Sequence, residues 1–206
     1  MAQPMGVRPV ADHPASVISS NYCAPHPIDL AIVRKVKPLT GESFEITNIE
    51  GNIVFKLKAP YSFSHSLRVL LDAAGNPIVT FRQKINSWHG RWKVFRGSST
   101  DSSNLLFSAK RSSMFQYVNS TIDVFLANNT REDYCDFKLK GSYRLRSCVI
   151  YAGDSTTLIA QMHKEQSRQR IFQLPKDKFT VTVNPNIDYA FIVVLILILY
   201  EIDSSD

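Results

Sequence analysis

Twelve consecutive uncharged and mostly apolar residues, from Tyr189 to Tyr200, constrain the fold of this chain more than any other feature. A helix of twelve residues rises about 18 Å, whereas a helix that crosses a bilayer needs about 20 apolar residues. Asp188 and Glu201 bound the run directly, and a charge at bilayer depth costs a few kcal/mol. The run is therefore too short for a spanning helix, and we expect no transmembrane span.

The segment before the run favours a helix over a strand. A strand of twelve residues would extend about 40 Å, well beyond the usual length, although the many isoleucines and valines suit a strand. Asn184-Pro185 and Asp188 are typical of a helix entry. We predict a helix over about residues 186–200 that is apolar on every side and must be surrounded by protein. Membrane insertion and a buried strand are the alternatives. The expected core residues of the helix are Phe191, Val194, Leu195 and Ile198.

The rest of the chain consists of short apolar runs divided by turn signals. The segment 44–58 alternates around Gly51-Asn52, which is typical of a β-hairpin, and the pattern returns at Gly75-Asn76. Further runs of the same kind follow as far as the helix, and no long amphipathic helix interrupts them. About a dozen strands that close around the apolar helix would leave no exposed sheet edge. The predicted fold class is therefore mainly β, with the helix inside an antiparallel barrel.

We predict three segments along the chain. Residues 1–21 contain three prolines and no apolar periodicity, which is typical of a disordered leader. Residues 22–203 form the barrel domain, and residues 204–206 are a tail. The chain has three cysteines without a C-x-x-C spacing. An odd number of cysteines favours reduced thiols and a cytoplasmic protein.

The sequence shows no residue set that is typical of catalysis. Motifs for phosphate-binding loops, serine hydrolases, zinc proteases and dinucleotide sites are absent from it. Cys135 or Cys148 could pair with His163 as a thiolate nucleophile, but buried strand cysteines are the favoured interpretation. Cys23 and His26 have the spacing of half a metal site, with no second half. We therefore expect no enzyme activity, no catalytic residue, no metal and no cofactor.

Two basic segments are the candidate ligand surfaces. The net charge is +6, and residues 84–96 and 138–146 contain cations without any acid. Cations on alternating strand positions could hold phosphate oxygens, and a solvated strand face is the alternative. Direct nucleic-acid binding is less favoured, because no nucleic-acid module is recognisable. The candidates for binding an anionic ligand are Lys84, Arg91, Lys93, Arg96, Lys138, Lys140, Arg144 and Arg146.

Several segments together resemble one plant family. They include "YCAPHPIDLAIVRK", "RVLLDAAGNPIVTFRQK", "SCVIYAGDSTTLIAQMHK" and "FTVTVNPNIDYAFIVVLILIL", within about residues 22–200. This stretch resembles the LURP-one-related proteins. The resemblance implies a closed twelve-stranded antiparallel β-barrel around a C-terminal hydrophobic helix. The tubby C-terminal domain and the phospholipid scramblases share that architecture.

The resemblance also sets the functional expectation. The family name comes from a member that is linked to plant defence against a pathogen. Tubby-like domains bind phosphoinositides, and scramblases are associated with lipid movement, but a shared fold does not fix a shared function. We expect a non-enzymatic binding or regulatory protein in plant defence or stress responses. Its expected partners are anionic phospholipid headgroups and an unidentified protein. The alternatives are a protein-interaction or membrane-tethered transcription scaffold and a scramblase-like protein. The expected location is the cytoplasm, with the periphery of the plasma membrane and the nucleus as further sites.

Overall fold

The protein is a barrel of twelve strands around one helix. The structure, a computed structural model, describes residues 16–37, 41–58, 67–84, 90–112, 120–163 and 178–204. The helix is α1 (Tyr189–Ser204), and short 3-10 turns occupy Ser20–Tyr22 and Ser102–Asn104. The strands are β1 (Ile28–Lys37), β2 (Gly41–Thr47), β3 (Ile53–Lys58), β4 (Leu67–Asp72), β5 (Pro77–Gln83), β6 (Trp92–Arg96), β7 (Leu105–Arg111), β8 (Ser120–Leu126), β9 (Phe137–Ser142), β10 (Ser147–Ala152), β11 (Leu158–His163) and β12 (Lys178–Val183).

Each strand pairs antiparallel with its neighbours in the sequence, and the last strand pairs with the first. In the closing pair, Leu30 of β1 lies opposite Val181 of β12. Closure leaves none of the twelve described strands with an unpaired edge. The predicted fold class, a closed twelve-stranded antiparallel barrel that encloses a C-terminal helix, is confirmed.

The strands alternate between the interior and the outside, as the sequence pattern predicts. In β9, Phe137 and Leu139 are buried, whereas Lys138 and Lys140 lie on the outer side. The hairpin predicted around Gly51-Asn52 joins β2 to β3, and its repeat joins β4 to β5. Gly51 adopts a φ of 84°, in the left-handed region that glycine enters without steric cost.

The hydrophobic run forms the helix inside the barrel. The twelve-residue run lies within α1, which begins three residues after the predicted start and ends four residues after the predicted end. Leu195 is 1% exposed, and the rings of Phe107 and Phe137 lie 5.1 and 4.8 Å from the ring of Phe191. Phe191, Val194, Leu195 and Ile198 all lie in the main hydrophobic cluster. The alternative of a buried strand is wrong. Within the described residues, no helix is both long enough and apolar enough to cross a bilayer.

A buried carboxylate caps α1 and attaches the start of the folded chain to it. Asp188 Oδ2 accepts hydrogen bonds from the backbone N–H groups of Val17, Ile18 and Ser19 at 3.2, 2.7 and 3.0 Å. Its Oδ1 accepts one from the N–H of Phe191 at 3.0 Å. Such a cap satisfies donors that a helix start leaves unpaired.

Residues 16–21 therefore belong to the folded part, although they fall in the predicted leader. Ile18 is only 3% exposed and joins the hydrophobic core. The sequence pattern missed this segment because its attachment depends on Asp188, which lies 170 residues further along the chain than Ile18. Residues 1–15 of the leader, and residues 205 and 206 of the tail, lie outside the described residues.

Two arginines bind the other end of α1. Arg111 donates a hydrogen bond to the carbonyl oxygen of Ile202 at 3.2 Å, and Arg144 donates one to the carbonyl oxygen of Asp203 at 2.6 Å. The last carbonyl groups of a helix have no partner within the helix and carry partial negative charge, so cations stabilise them. Both arginines therefore stabilise the end of α1.

Candidate binding surfaces

The first basic segment does not form a free cationic surface, because an acid from elsewhere pairs with its central arginine. Arg91 donates to both carboxylate oxygens of Glu132, at 2.6 and 2.7 Å. Lys110 donates to the same carboxylate at 2.7 Å. Hydrogen bonds from Arg91 lower the pKa of Glu132 to about 2, with Lys110 acting in the same direction. Glu132 therefore stays ionised and offsets part of the positive charge.

Glu132 reaches this position because the connection between β8 and β9, residues 127–136, packs on the outside of the barrel. Phe95 and Phe125 are buried there, outside the main hydrophobic cluster. The ammonium group of Lys110 lies 4.6 Å from the ring centre of Phe125, at the distance of a cation–π contact. This outer face is therefore a covered, packed surface.

The remaining candidates of the first segment point in different directions. Lys93 lies on the same strand face as Arg91, half-buried, and Lys84 is exposed. Arg96 lies at the opposite end of β6 and donates to the carbonyl oxygen of Ile18 at 2.9 Å. The N–H of Lys84 donates to the carbonyl oxygen of Arg91 at 2.7 Å. The structure thus brings Lys84, Arg91 and Lys93 together and separates Arg96 from them.

In the second segment the strand lysines face outward, and carboxylates partly offset the charge of one of them. Lys138 pairs with Asp154 and lies 3.5 Å from Asp123, which faces it across β8 and β9. The salt bridge with Asp154 raises the pKa of Lys138 and lowers that of Asp154. Lys140 is exposed, and its ammonium lies 5.8 Å from the ring centre of Tyr151.

The other two candidates of the second segment lie in the turn between β9 and β10. Arg144 is exposed but also donates to the end of α1. Arg146 is half-buried, has a φ of 52°, and its N–H donates to the carbonyl of Tyr143. Leu145, between the two arginines, is 60% exposed. An exposed leucine flanked by cations is the feature of this turn that the sequence analysis did not single out.

Both segments lack acids in the sequence but meet acids in the folded chain. Glu132, Asp123 and Asp154 come from other elements, and Glu132 is 41 residues from Arg91. The charges of neighbouring residues in the sequence do not reveal these partners, because the partners lie on other elements. Their positions become visible only when the pairing of the strands is known.

The thiols lack the environment that activates a nucleophile. Burial raises the pKa of Cys148 to about 12 and that of Cys135 to about 11. Cys148 faces the interior opposite Met162, so the next residue, His163, points to the outer side. The reactive form of cysteine is the thiolate. Neither thiol is therefore primed by His163. In the described part of the chain, no group of three or more metal-ligating side chains occurs.

The fold defines the class of protein: a closed twelve-stranded antiparallel barrel whose bore is filled by a C-terminal apolar helix. A crystal structure of an Arabidopsis thaliana protein has this fold, with a TM-score of 0.72 and 45% sequence identity over 91% of this chain and 98% of that chain.

The sequence comparisons identify the family. The family model described as LURP-one-related matches residues 28–200. Protein LURP-one-related 15 of Arabidopsis thaliana is 52% identical over 190 residues, which cover 92% of this chain and 87% of that protein. Protein LURP1 of the same plant is 48% identical over 192 residues, which cover 93% of this chain and 92% of that protein. The chain belongs to the LURP-one-related family.

Proposed function

We propose that this LURP-one-related protein is a non-enzymatic binding protein that attracts anionic phospholipid headgroups to its outer surface. The observation that carries the proposal is the filled bore. Leu195 at the middle of α1 is 1% exposed, and large side chains of the strands pack against the helix. Lipocalin-like barrels bind ligands in an open interior. Here the interior is occupied by the protein itself, which leaves the outside for recognition.

The available cations support a weak and salt-sensitive attraction. Lys84 and Lys140 are exposed. Arg91 and Lys138 carry charge that nearby carboxylates partly offset. Cationic side chains near an anionic lipid surface each contribute about 1 kcal/mol, and the contribution falls off within a Debye length. A surface of this kind favours reversible association.

Co-sedimentation with lipid vesicles tests the proposal. We expect the protein to sediment with phosphatidylcholine vesicles that contain phosphatidylserine or a phosphatidylinositol bisphosphate, and to leave them at high salt. Pure phosphatidylcholine vesicles are the control. Equal recovery with neutral and anionic vesicles would contradict the proposal.

Protein recognition is the second candidate, and the exposed Tyr134 favours it. Tyr134 is 77% exposed on the connection between β8 and β9. Exposed tyrosines are enriched where proteins contact one another. Capture from a plant extract by the wild-type protein, and its loss in Tyr134→Ser, tests this candidate. Unchanged capture by the variant would exclude Tyr134 from the interface.

The biological setting that we propose is plant defence or the stress response, in the cytoplasm or at the membrane facing it. This proposal rests on the family resemblance and on the reduced cysteines, and not on any residue of the binding surface. A plant line that lacks the protein should respond differently to pathogen challenge. A response identical to that of the parent line would contradict the proposed setting.

A further inference from the structure

Because neighbouring strands run in opposite directions, the position of a charged residue in its strand, together with its side-chain contacts, shows which end of the barrel it lies toward. We call the end at which α1 terminates the lower end. Odd-numbered strands end there, and even-numbered strands begin there. The upper end is the one at which α1 begins. The turn 143–146 lies at the lower end, and the turns 48–52 and 73–76 lie at the upper end.

The lower half is strongly basic. Among the described residues it holds fourteen lysines and arginines but five acids, namely Glu42, Glu45, Glu132, Glu201 and Asp203. Glu132 belongs here because it bonds to Arg91 and Lys110. The cations of the lower half are Arg34, Lys35, Lys37, Lys58, Arg68, Arg82, Lys84, Arg91, Lys93, Lys110, Arg111, Arg144, Arg146 and Lys178.

The upper half has the opposite sign. The described acids there are Asp29, Glu50, Asp72, Asp101, Asp123, Asp133, Asp136, Asp154 and Asp188. The cations there are Lys56, Arg96, Arg131, Lys138 and Lys140. The ammonium groups of Lys56 and Lys140, which start from the middle of β3 and β9, extend toward Ala73 and Tyr151 in the upper half. The described charges thus give about +9 in the lower half and about −4 in the upper half, so the small total charge conceals a large dipole along the barrel axis. Such a charge distribution orients a protein in the field of a charged surface.

The lower end also carries an exposed apolar tip. Leu145 is 60% exposed in the turn between Arg144 and Arg146. The end of α1 behind the turn carries partial negative charge, but Arg111 and Arg144 donate to its last carbonyls. The helix end therefore does not cancel the attraction of the lower end for anions.

We propose that the lower end of the barrel is the face that docks on an anionic phospholipid bilayer, with Leu145 entering the headgroup layer between two arginines. This inference rests on the proposed function and states which surface of the barrel contacts the lipid. The barrel axis then stands on the membrane, and the acidic upper end points away from it. The exposed leucine favours a bilayer over a nucleic acid, because a bilayer offers apolar surface below its charged headgroups.

Neutralising charges at matched positions of the two ends tests whether the lower end is the docking surface. Lys58 and Lys84 are exposed at the lower end. Arg96 ends β6 at the upper end, and the ammonium group of Lys56 donates to the carbonyl oxygen of Ala73 in an upper-end turn at 3.2 Å. Replacing Lys58 and Lys84 by Gln should weaken partition onto phosphatidylserine-containing vesicles about 25-fold, or about fivefold per charge. The same change at Lys56 and Arg96 gives an equal net charge but should alter partition less than about twofold.

Removal of the apolar tip separates a bilayer from other anions. Leu145→Ser should weaken vesicle binding about tenfold, because a buried leucine contributes to insertion. Ile49→Ser is the control, since Ile49 is 77% exposed in an upper-end turn. It should bind like the wild type. Intrinsic fluorescence and thermal unfolding should show that all variants are folded.

The outcomes of these experiments distinguish the proposed lipid binding from the proposed docking face. Absence of wild-type binding to anionic vesicles would overturn the proposed function itself. Binding that the upper and lower charge variants weaken equally would overturn the assignment of the face and leave the function standing. Binding to a duplex oligonucleotide that matches vesicle binding in strength and is unaffected by Leu145→Ser would identify a general polyanion surface and overturn docking on a bilayer.

Discussion

At the scale of single residues, the buried carboxylate of Asp188 joins the start of α1 to the N-terminal segment. It accepts four backbone hydrogen bonds and is completely buried. Burial raises its pKa, while the bonds from Phe191 and the N-terminal segment act in the opposite direction. One side chain thus both caps α1 and holds residues 17–19 against the barrel.

Replacement of Asp188 by Ala should therefore be costly. It would leave several buried N–H groups without an acceptor, and each such loss costs about 1–3 kcal/mol. We expect the free energy of unfolding to fall by about 3 kcal/mol or more in urea titration. Asp133→Ala, at an exposed carboxylate, is the control and should change it by less than about 0.5 kcal/mol. A similarly small effect of Asp188→Ala would refute the role of this carboxylate in capping α1 and in holding residues 17–19 against the barrel.

Glu132 makes the stability depend on pH in a defined direction. Its pKa falls from 4.5 in an unfolded chain to about 2 in the fold, chiefly through hydrogen bonds from Arg91. The stabilisation is complete above pH 4.5 and disappears as the pH falls toward 2. At about 1.4 kcal/mol per pKa unit, this amounts to about 3 kcal/mol at neutral pH.

Glu132→Gln measures this contribution directly. The variant should lose about 3 kcal/mol of unfolding free energy at neutral pH but about half of that near pH 3. The neighbouring Asp133→Asn provides a control for general loss of negative charge. An effect of Glu132→Gln that is equal at both pH values would show that the ion pairs with Arg91 and Lys110 do not cause it.

At the scale of elements, the helix and the barrel depend on each other. An apolar helix is stable only when other residues surround it, and the inward faces of the strands need a filling for the bore. Phe191 packs against Phe107 of β7 and Phe137 of β9. Tyr200, at the other end, packs against Phe44 of β2. The helix therefore contacts strands on different sides of the barrel.

A charge in the middle of α1 should prevent folding. Leu195→Asp would place an unpaired carboxylate among apolar side chains, which costs several kcal/mol against a typical net stability of about 5–15 kcal/mol. We expect near-ultraviolet circular dichroism to show no fixed tertiary packing and urea to produce no cooperative transition.

Leu145→Asp is the matched control for this prediction. It introduces the same residue at a leucine that is 60% exposed. This variant should unfold like the wild type. Near-normal unfolding of Leu195→Asp would contradict the burial of the helix.

At the scale of the whole molecule, the sequence predicts the architecture better than the binding surface. The run from Tyr189 to Tyr200 and the alternation in segments such as Phe137–Ser142 are local patterns, and each is determined by which neighbours are apolar. Closure of the barrel follows from the number of strands and from the need to surround the helix.

The contacts that shape the surface depend on residues far apart in the chain. Arg91 meets Glu132 across 41 residues, and Ile18 meets Asp188 across 170. The division of charge between two ends is equally nonlocal, because it requires the direction of every strand. The sequence alone therefore identifies basic segments but not the acids that neutralise them or the face on which the remaining cations gather.

Hydrogen exchange of the α1 amides, with and without anionic vesicles, tests the central claim that the helix is a permanent filling of the barrel. We predict that the amides of residues 192–200 exchange only through global unfolding, as slowly as those of the strands, and that vesicles leave their rate unchanged while slowing exchange in the turn 143–146. Rapid exchange in α1, or a change confined to α1 when vesicles are added, would show that the helix leaves the barrel and would contradict the account.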